Sequence, residues 1–346
     1  MIVTLTVNPS LDRTIELPGA LLRGAVQRAS AVSEEPGGKG VNVCRALTAS
    51  GVQSIAVLPG RDNDPVMAGL REAGVSYANL PIAASLRSNI TLTEADGTTT
   101  KVNAPGPPLG TDEQQRLIDL LVDTCAVGED GSPASWLVLA GSLPPGASPD
   151  FYALVVHAVR SRFSDLAPRI AIDSSGPPLL GALLHHAAPD LLKPNAEELA
   201  EVTGIATGDE LEADPALAVR AARTLIERGV GTVLATLGSK GALLITADHA
   251  WQASRPPVVA RSTVGAGDSS LAGFLLADIA GAPPRDCLRQ AVAHGAAAAA
   301  LPGTTVPTLA QTDPGAVTVT ELSGADPASG APSAAGRSPS SPKEEN

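Results

Sequence analysis

Aromatic side chains are almost missing: three Phe, two Trp and two Tyr stand among 346 residues. A core made without them is packed from Val, Leu, Ile and Ala, the usual filling of a parallel sheet covered by helices. The 44% hydrophobic content is enough for a large one. Cationic charge is also short. Lys and Arg number 24 against 36 Asp and Glu, and the resulting net charge of −12 argues against nucleic acid and anionic membrane surfaces as partners. A phosphorylated ligand would then need cations gathered locally. The three cysteines, Cys44, Cys125 and Cys287, lie far apart without a CxxC pair, so neither a disulfide framework nor a zinc site is expected. No apolar run approaches the ~18 uninterrupted residues of a membrane span. The start, MIVTLTVNPS, has no basic region before an apolar run. A soluble, non-exported protein of the reducing cytoplasm is expected.

What the chain does have is glycine placed before helices. In Thr263–Phe274, TVGAGDSSLAGF, the glycines of Gly265-Ala266-Gly267-Asp268 let the backbone aim its N–H groups at a ligand. Leu271, Phe274, Leu275 and Ile279 recur at helical spacing, so the turn opens onto a helix N-terminus that favours negative charge. A carboxylate in an anion site repels a phosphate, which points Asp268 toward deprotonating an attacking hydroxyl. The alternative is a plain helix N-cap.

The remaining pattern alternates strands and helices. Ile2 to Val7 reads as a strand stopped by Asn8-Pro9, delivering Asp12 to the carboxyl end of a sheet as a candidate for sugar hydroxyls or, equally, as an Asx turn. Arg13 to Glu35 reads as short strands. Pro36-Gly37-Gly38-Lys39-Gly40 then opens a second helix, through Asn42 to Gly51. It is no Walker A loop, since Gly40 follows Lys39 and Ser33 stands where the first glycine belongs. It suits a phosphate or a polyol needing close backbone approach, or is a tight turn only. Strand Ser54–Pro59 and helix Pro65–Ala73 come next. Ser85 to Asn103 reads as a hairpin about Ala95-Asp96-Gly97, a lid presenting Arg87, Asn89, Lys101 and Asn103, unless those residues form a solvated face.

Thr111 with Gln114 predicts a capping box for a helix to about Val127. Strand Trp136–Ala140 leads into Gly141-Ser142-Leu143, helix Phe151–Arg160 into strand Arg169–Ile172, and Asp173-Ser174-Ser175-Gly176 into another helix. Strand Asp190–Leu192 runs into Lys193-Pro194-Asn195 and a helix to Val202 that Gly204 ends. Asn195 and Glu198 share a face there and can hold magnesium-bound water, or simply cap the helix. A helix near Pro215–Arg228, strand Thr232–Thr236, the turn Leu237-Gly238-Ser239-Lys240-Gly241, strands Ala242–Thr246 and Ala250–Ser254, and helix Cys287–Ala300 follow. The rhythm predicts an α/β, doubly wound, mostly parallel sheet flanked by helices, with a small β-sheet lid. One domain is expected over residues 1–312, with lid strands within about 13–36 and 85–104. A tail spans 313–346, disordered from 323 because it is Pro, Ser, Ala and Gly without large apolar side chains.

Together, NPSLDRT, PGGKGVNV, AGSLPPG, LLKPNAEEL, ATLGSKGAL and TVGAGDSSLAGF, in this order, resemble the motifs of the ribokinase-like (PfkB-type) carbohydrate kinases over about Met1 to Pro307. The resemblance implies an eight- or nine-stranded sheet and a lid that often pairs with a second subunit's lid in a homodimer. It implies ATP with Mg2+ near Gly238 and Gly241, aided by Lys193, Asn195, Thr236 and Thr263, the phosphates at Gly265, Ala266 and Gly267, and Asp268 as base. Magnesium would be met indirectly, through water, by Asn195 and Glu198. The sugar phosphate would lie against Asp12, Gly37, Gly38, Lys39, Asn42, Arg87, Asn103 and Ser142, its phosphate anchored by Lys39 and Arg87. Asp268 needs no unusual pKa in this scheme. The implied activity is phosphorylation of fructose 1-phosphate to fructose 1,6-bisphosphate, with tagatose 6-phosphate and fructose 6-phosphate as acceptors of sister enzymes. Two departures, Gln27 in place of Asn and Pro59-Gly60-Arg61-Asp62 in place of a Gly-Gly-Phe loop, touch acceptor placement. A dinucleotide dehydrogenase is opposed by the missing G-x-G-x-x-G after the first strand. An inactive sugar sensor is opposed by Asp268 within an intact GAGD.

Overall fold

The computed structural model describes residues 1–126, 128, 131–184 and 187–322. From the N-terminus, β1 (Ile2–Leu5) is followed by β2 (Ser10–Glu16), β3 (Ala31–Gly37) and α1 (Lys39–Ala49). Next come β4 (Ser54–Pro59), α2 (Pro65–Glu72), β5 (Ser76–Leu80), β6 (Arg87–Thr93), β7 (Thr99–Asn103) and α3 (Thr111–Cys125). Then β8 (Trp136–Ala140), α4 (Phe151–Phe163), β9 (Arg169–Asp173), α5 (Gly176–Leu184), β10 (Leu191–Leu192) and α6 (Ala196–Thr203) alternate. After α7 (Gly208–Ala213), α8 (Pro215–Glu227) and β11 (Val233–Thr236), the chain finishes with β12 (Ala242–Ile245), β13 (Ala250–Ser254), α9 (Ala266–Ile279), α10 (Pro284–Ala299) and β14 (Thr318–Glu321).

Ten strands form the main sheet, in the order β14-β13-β12-β11-β10-β9-β8-β1-β4-β5. Pairing is parallel from β5 across to β11 and antiparallel from β11 to β14. The all-apolar sequence of β8 follows from burial on both faces. Leu137 and Leu139 pack with α3 and α4, while Trp136, Val138 and Ala140 pack with α1, α9 and α10. Strand order reverses at β1, which lies between β4 and β8, and a ligand crevice belongs outside the carboxyl ends of the strands there. A second sheet of four strands, β3-β2-β6-β7, is the lid. Its parallel β2–β6 pairing sets Ser10 opposite Arg87 and Asp12 opposite Asn89.

Several expectations need correction. The sheet has ten strands rather than eight or nine, because β14 comes from the stretch read as tail; Val317 is buried and β14 extends the edge at β13. β5 and α7 were not expected: β5 mixes polar and apolar residues, Ser76-Tyr77-Ala78-Asn79-Leu80, and α7 is only six residues long. The first strand stops at Leu5, and Asp12 lies on a lid strand rather than in the loop after β1. No Thr111–Gln114 capping box forms. Gly110 is the N-cap, its N–H donates to Glu113 Oε2 at 2.9 Å, and Gln114 turns inward to the carbonyls of Leu109 and Gly146. Val127, where that helix was expected to end, and the stretch from 323 lie outside the described residues. Among the described residues no helix is long and apolar enough to cross a membrane.

Candidate active site

Gly265 is the N-cap of α9 with φ 75°, a left-handed conformation that a side chain would strain, and no side chain caps the helix. The first-turn amides therefore face outward without intrahelical partners, at the positive end of the helix dipole. Lys193 Nζ lies close by, 3.4 Å from where a Cβ on Gly267 would sit. Asp268 is not the N-cap. Its carboxylate is buried, and its Oδ2 accepts a hydrogen bond of 2.9 Å from Asn42 Nδ2 on α1. Burial, and then the neighbouring Asp173, push its pKa up to about 6, against the pull of Lys39, Asn42 and Lys193. This corrects the expectation of an ordinary value.

Beside it is a cluster of charges that the sequence reading only partly joined. Lys39 Nζ lies 2.8 Å from Asp173 Oδ1 and 3.0 Å from Glu198 Oε1, and Lys193 Nζ lies 3.1 Å from Asp173 Oδ2. Asp173, completely buried, emerges where apolar β9 reaches the carboxyl edge of the sheet. Burial disfavours its charge, but Lys193 and Lys39 outweigh that and hold its pKa below the usual range. Burial likewise disfavours the Lys39 ammonium, yet Asp173 and Glu198 raise its pKa. Lys39 thus sits in a carboxylate pair rather than standing free for an acceptor phosphate. Asp173 was not singled out as functional; the signal for it was a lone acid closing the run Ile170-Ala171-Ile172.

Asn195 and Glu198 form a reciprocal cap: Glu198 N donates to Asn195 Oδ1 at 2.8 Å, and Asn195 N donates to Glu198 Oε2 at 2.9 Å. With Oε1 on Lys39, both carboxylate oxygens of Glu198 are engaged. Among the described residues no group of three or more His, Cys, Asp or Glu is arranged to hold a metal directly. Still, two ammoniums face three carboxylates here, so an incoming polyphosphate is accommodated best when it brings its own cation. That fits magnesium arriving with a nucleotide, held through water and phosphate oxygens.

After β10 and β11, Asn195 bridges to Thr236, and the turn after β11 depends on Gly238 at φ 51° and Gly241 at φ 99°. A Cβ on Gly241 would lie 2.0 Å from the Ala253 carbonyl. The Thr263 carbonyl, 3.4 Å from Ala266 N, closes the glycine turn.

On the lid side, Ser10 Oγ and Asn89 Nδ2 donate to Asp12 Oδ1 at 2.7 and 3.0 Å. Burial raises the Asp12 pKa, and these bonds offset part of the rise. Gly37 faces this carboxylate so closely that a Cβ would come within 2.1 Å of Oδ2. Gly38, at φ 112°, packs against Thr6. Arg87 donates through Nε and Nη2 to the Asn8 carbonyl and through Nη1 to the Ala104 carbonyl. Three of its five N–H groups are thereby spent on the lid's root, leaving two for a ligand. Asn8 Nδ2 reaches Ser142 Oγ at 3.5 Å, while Asn103 stands on exposed β7 opposite Asn89. A Gly37→Ala substitution should push the Asp12 carboxylate aside. We expect the KM for the phosphate-accepting substrate to rise about tenfold with the nucleotide KM within about twofold, read by steady-state kinetics; equal rises in both would separate Asp12 from the acceptor.

Comparison with known proteins agrees with this geometry. Residues 6–311 match the profile of the pfkB family carbohydrate kinases. A 1-phosphofructokinase of Xanthomonas campestris pv. campestris is 37% identical over 80% of this chain and 83% of its own. A protein of Mycobacterium tuberculosis named ATP-dependent 6-phosphofructokinase isozyme 2 is 35% identical over 88% of this chain and 85% of its own. The crystal structure of phosphofructokinase-2 from Escherichia coli in complex with substrates and products superposes with a TM-score of 0.78 at 30% identity, covering 90% of this chain and 96% of that one. With a family profile matched from residue 6 to residue 311 and relatives above 30% identity along most of its length, the chain belongs to the pfkB family of carbohydrate kinases and is a sugar-phosphate kinase.

Proposed function

We propose that the protein transfers a phosphoryl group from ATP to the 6-hydroxyl of fructose 1-phosphate. The observation that carries this reading is the Asn42–Asp268 pair at the mouth of α9: a buried carboxylate, aimed by an amide, beside first-turn backbone N–H groups without intrahelical partners and Lys193. When bound, MgATP supplies the transferable group and a neutralising cation. The chain positions and stabilises. Asp268 accepts the hydroxyl proton as transfer proceeds, and the amides of Gly265, Ala266 and Gly267 face the charge developing on the phosphoryl oxygens. Lys193 adds a fixed positive charge under the turn, and Asp173 keeps both lysines in place. The nucleotide base side falls to the Gly238–Gly241 turn with Thr236, Asn195 and Thr263. On the acceptor side, Asp12 and the Gly37-Gly38 backbone hold ring hydroxyls, with the two remaining Arg87 N–H groups, Ser142 and Asn103 toward its phosphate. The three free buried cysteines suit a reducing cytoplasm. The lid leaves Val32 and Val102 exposed, 58% and 57%, a face for a second copy in a homodimer; sedimentation velocity should give a dimer that a charged residue at either valine weakens.

A ketofuranose is nearly symmetric about its two hydroxymethyl arms, so fructose 6-phosphate and tagatose 6-phosphate are the acceptors to compare. The similarity to a 6-phosphofructokinase isozyme favours the first of them as the second reading. A coupled ADP-release assay over fructose 1-phosphate, both 6-phosphates and unphosphorylated fructose and ribose decides. We expect the highest kcat/KM for fructose 1-phosphate, by about tenfold or more over the next. Preference for a 6-phosphate moves the assignment to that sister activity, and preference for a free sugar removes the phosphate role of Arg87.

A further inference from the structure

Arg45 lies one turn beyond Asn42 on α1, and phosphoryl transfer as described leaves it unused. Its side chain is enclosed, yet it joins three separate pieces of chain. Nη2 meets Glu35 Oε2 at 2.8 Å, and Nη1 donates to the carbonyls of Pro36 at 3.2 Å and Thr304 at 3.3 Å. Thr304 Oγ1 donates to the same Glu35 oxygen at 2.6 Å. Glu35 is on β3, two residues before the Gly37 that faces Asp12, so this knot sits at the root of the lid. The loop after α10 touches β2 as well, since a Cβ on Gly303 would lie 3.9 Å from Thr14 Oγ1.

The same end of α10 also holds the segment entering the glycine turn. The N–H groups of Arg261 and Ser262 both donate to the Ala299 carbonyl, at 2.8 and 3.2 Å. One helix end thus anchors the lid on one side and the turn that leads to Asp268 on the other. A buried guanidinium–carboxylate pair is a weak source of stability, because desolvation cancels much of its attraction. Its directional fork does fix one geometry, which an apolar contact of the same volume would not.

We propose that Arg45 is a positioning residue for the acceptor. With Glu35 and Thr304 it sets where β3 leaves the core, and so where Asp12 and Gly37 meet the sugar relative to Asp268. Arg45 acts through these partners, being too enclosed to reach a ligand itself. The inference rests on reading the lid as the acceptor side, and it holds for whichever sugar phosphate the wild-type protein prefers.

The test uses that preferred acceptor, identified first on the wild-type protein, so that a revised substrate and a failed Arg45 role are read separately. Arg45→Met keeps the apolar stem and removes the fork; Arg45→Lys keeps the charge; Thr304→Val removes one hydroxyl at constant shape. Loss of charge-assisted bonds predicts an acceptor KM raised about tenfold or more in Arg45→Met, with ATP KM within about twofold and kcat within about threefold. Arg45→Lys should recover part of the loss, and Thr304→Val alone should raise the acceptor KM about threefold while adding under about twofold to Arg45→Met. Equal rises in both KM values, or an unchanged acceptor KM in a folded Arg45→Met protein, would overturn the proposal. Should Arg45→Met fail to fold, an unchanged acceptor KM in Thr304→Val overturns it.

Discussion

Asp268→Asn should lower kcat by ~10²–10⁴ while both KM values change little. The substitution keeps size and can still accept the 2.9 Å bond from Asn42 Nδ2, so the geometry survives and only the proton acceptor is lost. In the wild-type protein kcat should rise with pH through about 6 and level off above, as the carboxylate that burial has pushed up becomes ionised. Measuring at saturating substrate matters, because a sugar phosphate takes its own second ionisation near ~6. The linkage has a definite sign. A folded pKa above the unfolded value of 3.8 means that the native state binds this proton more tightly, so ionising Asp268 costs stability as pH rises from 3.8 to about 6. Asp268→Asn removes that cost and should be more resistant to urea at pH 7 than the wild type, a stability gained where function is lost. Near-normal turnover would return Asp268 to a structural role at the helix end.

Asp173→Ala should be the most destabilising of the substitutions considered, by about 3–5 kcal/mol, because it leaves a buried cation without its partner. Lys39 retains Glu198, but the buried Lys193 loses the carboxylate 3.1 Å from its Nζ. Urea unfolding at pH 7 reads the loss directly, and kcat should fall with it as Lys193 leaves its place under Gly267. In the wild type the depressed Asp173 pKa contributes stability that is present above the unfolded value of 3.8 and is lost as pH falls through the folded one, so below pH 3.8 the wild type should lose stability more steeply than the variant. A loss under about 1 kcal/mol would mean that water or a shifted Glu198 replaces Asp173.

The contrast between these two carboxylates explains what could be read from sequence. Asp268 announces itself because glycine, acid and helix start are contiguous, and local backbone geometry is a property of neighbouring residues. Asp173 shows in the sequence only as a lone acid after an apolar run, for its partners Lys39 and Lys193 reach it only when the end of β9, the start of α1 and the segment after β10 meet at one edge of the sheet. Lys39 was legible as a cation at a glycine turn, but its direction was not, and it faces two carboxylates. From sequence Arg87 is expected to clamp a phosphate, because nothing in its strand reveals that the Asn8 and Ala104 carbonyls lie within reach. The lid hairpin and the βαβ rhythm were legible from period and turn residues alone. β14 was missed since a short alternating run, Thr318–Glu321, is a strand only by virtue of the edge of β13 beside it.

The position of β1 between β4 and β8 also sets the order of events as the chain is made. Val3 lies beside Ile55 on one side and Leu137 on the other. A ribosome must release the chain through Pro59, lid strands β2 and β3 included, before β1 gains its first neighbour, and through Ala140, with lid strands β6 and β7 emerging in between, before it gains its second. Distant parallel pairings of this kind close slowly. Throughout that interval the most apolar strand of the nascent N-terminal part keeps an open edge, a template for pairing with other chains. Yield during synthesis should then fall as temperature rises and recover with chaperones that shield this edge, even where the finished sheet is stable.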